Sequence, residues 1–322
     1  MKNCHKTISM ILSLALLLVT ACSKEENSGG LQNALIKKTL GPNLVGQEIV
    51  LAYSMGTTSG KLATAKVTAS IAGDTDTGFE PYSWNTSTSG AEVPITVAEN
   101  CITEGATSSA VFIDTAAATL RYFYHIPEEA RGKEISFTFN ATSTVGESVS
   151  YQSDPFLVSN MDMVRDLPLQ NDGAAYISIS DMKAYTWDEV TTDPSLAAAI
   201  DLIYLYRVKT GVNFGHALVS PSATAYLEGA KVPSGATNST KIEKQVNIRD
   251  QQLSGLQYAV FIDDIDFRNL DIHNAADFIL NVKTDEGAFV ETNDGRYRAF
   301  IYVNAANADE SATISIKRLL VN

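Results

Sequence analysis

The chain has 322 residues, a formal net charge of −13 and a pI near 4.7. At roughly 100–200 residues per domain that is room for two domains, each able to bury its own core. With 45% hydrophobic and 19% charged residues it is neither a disordered chain nor a long solvated coiled coil, and its acidity excludes wrapping nucleic acid or docking on anionic lipid through a basic face.

Residues 1–21 read as a signal peptide that is removed. Lys2, His5 and Lys6 make a positive start and Ile8–Val19 an apolar run that ends before Ser23, Lys24, Glu25 and Glu26, short of the about 20 residues a membrane helix needs. The sequence Leu18-Val19-Thr20-Ala21-Cys22 resembles the lipobox of bacterial lipoproteins, in which cleavage precedes a cysteine that receives the lipid. That resemblance implies lipidation of Cys22 and a membrane-anchored chain, with residues 22–30 as the lipidated tether. Ser23-Lys24-Glu25-Glu26 resembles the short signal that sends lipoproteins of the Bacteroidetes group across the outer membrane to face outward, although a solvated tether is polar in its own right. The expected location is the outer membrane, lipid-anchored and facing the exterior. Cys4 leaves with the signal, so Cys101 is the one cysteine left for the fold; no intramolecular disulfide forms, and Cys101 reads as a small buried hydrophobe. Loss of the signal leaves 22 basic side chains against 37 acidic ones.

Alternation of period two dominates the chain beyond the tether. In 61–71, Ala63, Ala65, Val67, Ala69 and Ile71 alternate with polar residues, and 134–142 repeats the pattern with Ile135, Phe137, Phe139 and Ala141. Segments 48–53 and 119–126 are further strands, with turns at 56–60, 73–78 and 145–146. Residues 31–157 are therefore predicted to form an immunoglobulin-like antiparallel β-sandwich. The pattern-poor stretch 158–174, in which Pro168 would interrupt a central strand, is predicted to be a linker. Strands expected at 175–180, 201–208, 216–220, 257–263, 278–282, 296–304 and 312–319 make residues 175–322 a second β-sandwich with short helices. These are expected at 193–199, with Asp193 as cap and Pro194 in the first turn, and around 270–277. The fold class is all-β, two antiparallel sandwiches.

The lipoprotein leader, the segments 200–206, Ser220-Pro221, 296–304 and 312–318, and the overall length resemble a family of uncharacterised two-domain surface lipoproteins of gut Bacteroidales. The resemblance implies surface exposure among proteins that capture and degrade polysaccharides. It transfers no catalytic role to any residue.

Motifs for chemistry are missing: no GxSxG, HExxH, P-loop or GxGxxG follows a strand, so no catalytic residue is assigned and the chain is expected not to be an enzyme. His125, His216 and His273 lack a paired-ligand spacing, and His125 is read as a surface ion-pair partner. Asp74-Thr75-Asp76-Thr77-Gly78 has oxygen donors of a calcium loop but departs from EF-hand spacing at Gly78 and Asn85, and reads as a turn. Asp263, Asp264 and Asp266, with Asp271 nearby, are the candidate metal ligands, calcium being the one cofactor considered; a solvated strand-to-loop transition is the alternative.

For ligand binding the candidates are Phe79, Tyr82 and Trp84, within Phe79-Glu80-Pro81-Tyr82-Ser83-Trp84-Asn85, together with Trp187. Aromatic rings on a loop stack on sugars while Glu80 and Asn85 meet hydroxyls; alternatively Trp84 plugs the sandwich end as core. Asp114-Thr115-Ala116 resembles a short bacterial O-glycosylation sequon. The expected function is a non-catalytic surface lipoprotein that binds glycan or assists polysaccharide capture, partnered by the membrane and a polysaccharide. The alternatives are a structural or adhesive surface subunit that binds other surface proteins through an open edge or groove, and a glycosidase with two carboxylates in a cleft.

Overall fold

The computed structural model of the protein describes residues 30–321; the expected signal peptide, Cys22 and most of the tether lie outside the described residues. The first half contains strands β1 (Gln32–Lys37), β2 (Glu48–Gly56), β3 (Leu62–Ala69), β4 (Gly78–Thr86), β5 (Glu92–Thr96), β6 (Ala98–Glu104), β7 (Thr107–Phe112), β8 (Ala117–His125), β9 (Glu134–Ile135), β10 (Phe137–Ser143), β11 (Ser148–Gln152) and β12 (Phe156–Leu157). Sheet A has the order β1-β2-β8-β4-β5 and sheet B the order β11-β10-β3-β7-β6. Alternation decides which side chains meet between them: Leu51, Tyr53, Leu120, Tyr122 and Tyr124 from sheet A face Val67, Phe137 and Phe139 from sheet B, all buried. This core is aromatic, with Tyr53 and Phe139 ring centroids 4.8 Å apart in a tilted pair and Tyr124 and Phe137 5.0 Å apart edge to face, the latter an arrangement aromatic quadrupoles favour.

The second half adds β13 (Asp162–Gln170), β14 (Tyr176–Ser178), β15 (Lys183–Tyr185), α1 (Trp187–Thr192), α2 (Pro194–Ala198), β16 (Leu202–Lys209), β17 (Val212–Val219), β18 (Lys241–Gln245), α3 (Gln251–Ser254), α4 (Asp264–Asn269), β19 (Phe278–Val282), β20 (Gly287–Glu291), β21 (Tyr297–Ala306) and β22 (Ser311–Leu320). Sheet C runs β13-β22-β21-β20-β18 and sheet D β15-β14-β16-β17-β19, all antiparallel. Their shared core is largely aliphatic, built on Ile177, Leu202, Leu218, Val290, Ile301, Ile314 and Ile316. The protein is an all-β, two-sandwich chain, as its alternating pattern predicts.

Several expectations are corrected. The stretch predicted as linker contains β13, which pairs with β22 through Pro168↔Thr313. Proline is tolerated there because β13 is an edge strand, and its pairing slips between Val164 and Leu167. The strand expected at 257–263 is loop with one bridge at Val260, and the helix expected at 270–277 instead occupies 264–269, where Asp263 caps it. At α2 the expected cap is present: Asp193 accepts from Ser195 N.

Residues 246–270 cover the outer face of sheet C, which is thus buried on both sides. Leu253, Ile262 and Phe267 of this cover pack on Phe300, Tyr302 and Leu319, and Leu44 from the first sandwich joins the same cluster. The halves meet at this seam: Gln252 Nε2 donates to Pro42 O at 3.0 Å, Ser159 Oγ to Asp264, and Arg131 pairs with Asp162 at 2.9 Å. Gly41, at φ +82°, lies so close to the Phe261 ring that a Cβ would overlap it.

Lys317 and Asp250, both wholly buried, hold the cover down. Lys317 Nζ donates to Asp250 Oδ2 at 2.6 Å and to Ile262 O at 3.1 Å, while Asp250 also accepts from Leu253 N and Ile262 N. Burial pulls the Lys317 ammonium below the usual lysine range, and the Asp250 carboxylate pulls it back up. Lys317→Met leaves that carboxylate buried without its counter-charge, and a loss of about 3–5 kcal/mol is expected, read from urea denaturation. An unchanged midpoint would show that the pair does not hold the cover.

Candidate functional site

The outer face of sheet A carries the arrangement best suited to a ligand. Ile49, Leu51, Tyr53 and Met55 point into the core, so alternation turns Ala52 and Ser54 outward. Pairing then lines up two rows across three strands: Ala34, Ser54 and Thr119 in one, Ile36, Ala52 and Arg121 in the next. In the first row Ser54 Oγ and Thr119 Oγ1 are 2.8 Å apart. Here β4 parts from β8: its pairing slips after Phe79, resumes at Ser83↔Leu120, and Ser83 Oγ accepts from Thr119 N at 3.0 Å. The divergence opens a trough of about 770 Å³ lined by Gln32, Ala34, Ser54, Asn85, Ala117 and Thr119 among others; none of the residues lining it is ionisable.

Beyond the first row stands a fixed aromatic. The Arg121 guanidinium lies over the Trp84 ring, 3.8 Å from its centroid. Trp84 Nε1 donates to Glu80 Oε2 at 2.9 Å, and Arg121 is itself paired with Glu92, which also accepts from Lys38 Nζ at 2.8 Å. The Arg121 and Lys38 hydrogen bonds drive the Glu92 carboxyl down to about 2. Tyr82, two residues before Trp84 on β4 and so on the same face, is 39% exposed.

The sequence-predicted residues divide accordingly. Tyr82 and Trp84 lie together on a strand, not on a loop; Pro81 and the slip beside it hide that strand's alternation, and Pro81 O accepts from Val97 N at 3.0 Å. Trp84 is half-buried beneath Arg121 and does not plug the sandwich end. Phe79 is a correction: it is 7% exposed, packs on Tyr122 and Phe139 in the core, and offers no face to a ligand. Trp187 begins α1 in the other sandwich, half-buried against Tyr176, so it is not brought to this face.

The candidate metal ligands are also corrected. Asp263 caps α4 by accepting from Ile265 N and Asp266 N, Asp266 reciprocates to Asp263 N, and Asp264 accepts from Ser159 and pairs with Arg268 at 3.5 Å. These carboxylates are engaged in helix capping and the seam, and among the described residues no group of three or more His, Cys, Asp or Glu is placed to hold a metal ion. Asp74–Gly78 is a turn, closed by Thr77 N donating to Asp74 O. His125 approaches Glu48 at 4.0 Å, and Cys101 is half-buried with its thiol pushed up by burial.

A second, smaller cleft of about 330 Å³ in the other sandwich contains a carboxyl that sequence reasoning missed. Asp201, 5% exposed, accepts from Ile179 N at 2.8 Å and Thr240 Oγ1 at 3.3 Å, beside Ser195, Asn238 and Tyr297. Burial pushes its pKa up to about 6. Only burial marks it out, and no local pattern in the sequence reports burial.

Profiles of two domains of unknown function match the chain, DUF4466 over residues 28–158 and DUF8576 over residues 159–321. A crystal structure of a DUF4466 family protein from Parabacteroides merdae is similar at 41% identity, covering 91% of this chain and 99% of that one, with a TM-score of 0.85. BcpA, the major pilin subunit of Bacillus cereus, is 12% identical over 89% of this chain and 66% of that one, with a TM-score of 0.29. MyfA, the major subunit of Myf fimbriae from Yersinia enterocolitica, is 12% identical over 40% and 98%, with a TM-score of 0.23. Both are too remote to carry an argument. No curated protein matches.

Because Asp201 is more basic in the fold than the usual aspartate value near 3.9, the native state takes up a proton between about pH 6 and 4. The resulting stability is gained as pH falls through that window and lost as it rises. Thermal melts from pH 7 to 5 should show wild type gaining about 1.3 kcal/mol relative to Asp201→Asn; equal pH dependence of the two proteins would refute the assignment.

Proposed function

The chain belongs to the families of domains of unknown function DUF4466 and DUF8576, and from that premise we propose that it is a non-catalytic, lipid-anchored protein of the outer-membrane surface that binds glycan on the outer face of sheet A. The observation that carries this reading is the fixed Trp84 ring beside a trough whose lining is amide, hydroxyl and methyl groups without an ionisable side chain. Sugar recognition asks for an apolar ring face that costs little entropy to hold, and for neutral donors and acceptors around it. Trp84 is held at both its indole nitrogen and one ring face, so little freedom remains to be lost on binding.

Anchoring follows from the lipobox-like residues ending in Cys22. From there to Gly30, which borders the trough, the tether reaches at most about 29 Å when extended, so on this reading the trough faces a ligand near the anchored end. The acidic chain, at −13 overall, disfavours polyanionic glycans, and Arg121 and Lys38 are both spent on Glu92. A neutral polysaccharide is the ligand class that fits. No carboxylate pair lines the trough, which supports binding without hydrolysis.

Affinity electrophoresis of the chain against neutral and acidic polysaccharides tests the reading. Retardation by a neutral polysaccharide is expected, weakened about tenfold by Trp84→Ala, a loss of about 1.4 kcal/mol, and left in place by Trp187→Ala. Absence of retardation by every polysaccharide, or retardation indifferent to Trp84→Ala, would overturn it.

A further inference from the structure

A sheet edge with unpaired backbone groups is a template for another strand, and proteins ordinarily guard it with proline, charge, a bulge or shortness. Among the described residues most edges of the five-stranded sheets are guarded. β5 carries Pro94; β6 slips in register beside Asn100, whose φ is +49°; β13 carries Pro168 and a slip; β18 is Lys-Ile-Glu-Lys-Gln; β15 is three residues long; β19 contains Asn281 at φ +51° and pairs with a slip. The remaining two edges, β1 and β11, lie against each other on one flank of the first sandwich. They contain no proline or slip, and Lys37 is the one charged residue in the two strands. In a chain that is 19% charged, this flank is conspicuously neutral.

We propose that β1 pairs with β1 of a second copy of this chain, antiparallel about a two-fold axis at Leu35. Lys38 N donates to Val50 O at 2.8 Å, so by antiparallel alternation Ala34 and Ile36 spend their backbone groups on β2, and Asn33, Leu35 and Lys37 turn theirs to the open side. A two-fold axis at Leu35 sets those three residues opposite their counterparts: Leu35 meets Leu35 of the second copy, and Asn33 meets its Lys37. No like charges face each other, which an isologous pairing requires at every position. On the outer face Ile36, now 64% exposed, comes to lie beside Ala34 of the second copy, removing an apolar side chain from water. Two five-stranded sheets become one of ten strands. Ala34 borders the trough, so each trough comes to adjoin its counterpart, and one extended ligand reaches both.

The dimer stands or falls independently of the glycan reading, because its test involves no ligand. The full chain, purified in detergent, is taken through sedimentation equilibrium alongside Ile36→Lys and Lys37→Pro. Ile36 is exposed in the single chain, and Lys37→Pro leaves the pairing with β2 in place while removing the Lys37 bond to Asn43; a circular-dichroism melt verifies that each variant is folded before its mass is read. Expected is a protein mass of two chains for wild type and one for each variant, with the amides of Asn33, Leu35 and Lys37 exchanging slowly in wild type and at least tenfold faster in Ile36→Lys. A single-chain mass for wild type at every concentration, or a two-chain mass that survives both substitutions, overturns the proposal.

Discussion

The buried pair Lys317–Asp250 is the contact on which the joining of the two sandwiches depends. A sheet face that must accept a second apolar layer has no room for a free ammonium, and Lys317 is tolerable there only because Asp250 and the Ile262 carbonyl meet it. The same carboxylate caps α3 and fixes Ile262 N, so one charge pair shapes the cover on sheet C. That cover in turn supplies the surface against which Leu44, Pro42 and Gly41 of the first sandwich are seated. The seam is thus a continuation of a core and not a loose linker.

The candidate site uses the opposite physics. Sheet A buries one face in an aromatic core and leaves the other to water, and on that open face small side chains make a floor and a single stacked pair makes a wall. The Trp84–Arg121–Glu92–Lys38 chain is exposed enough that its ion pairs contribute little to stability; its consequence is to hold an indole ring at a set angle. Separating the rigid aromatic core from the ligand face lets the face change without unfolding the sandwich.

The two strands at the flank show how binding and fold share one constraint. β1 completes sheet A and covers Tyr53 through Leu35 and Asn33, whose Nδ2 donates to the Tyr53 hydroxyl at 2.8 Å. It therefore closes the sandwich on one side as a donor strand would, while its other side remains a sheet edge.

Sequence by itself determined the all-β class, the turns, the α2 cap at Asp193 and most strands of the second sandwich, because period-two alternation and capping residues are local signals. It placed Trp84 among the ligand candidates by residue type alone. Tertiary structure decided the rest. Phe79 and Trp84 look alike in sequence, yet five residues apart they fall on opposite faces of β4, and only the pairing of Phe79 with Tyr122 and of Ser83 with Leu120 decides which face is core. Arg121, Glu92 and Lys38 reach Trp84 from three other segments, Asp264 accepts from Ser159 across the seam, and Lys317 became buried once the cover folded onto sheet C. None of these outcomes is written in neighbouring residues, since burial and side-chain partners are set by strands distant in the chain that meet only when the sheets pair.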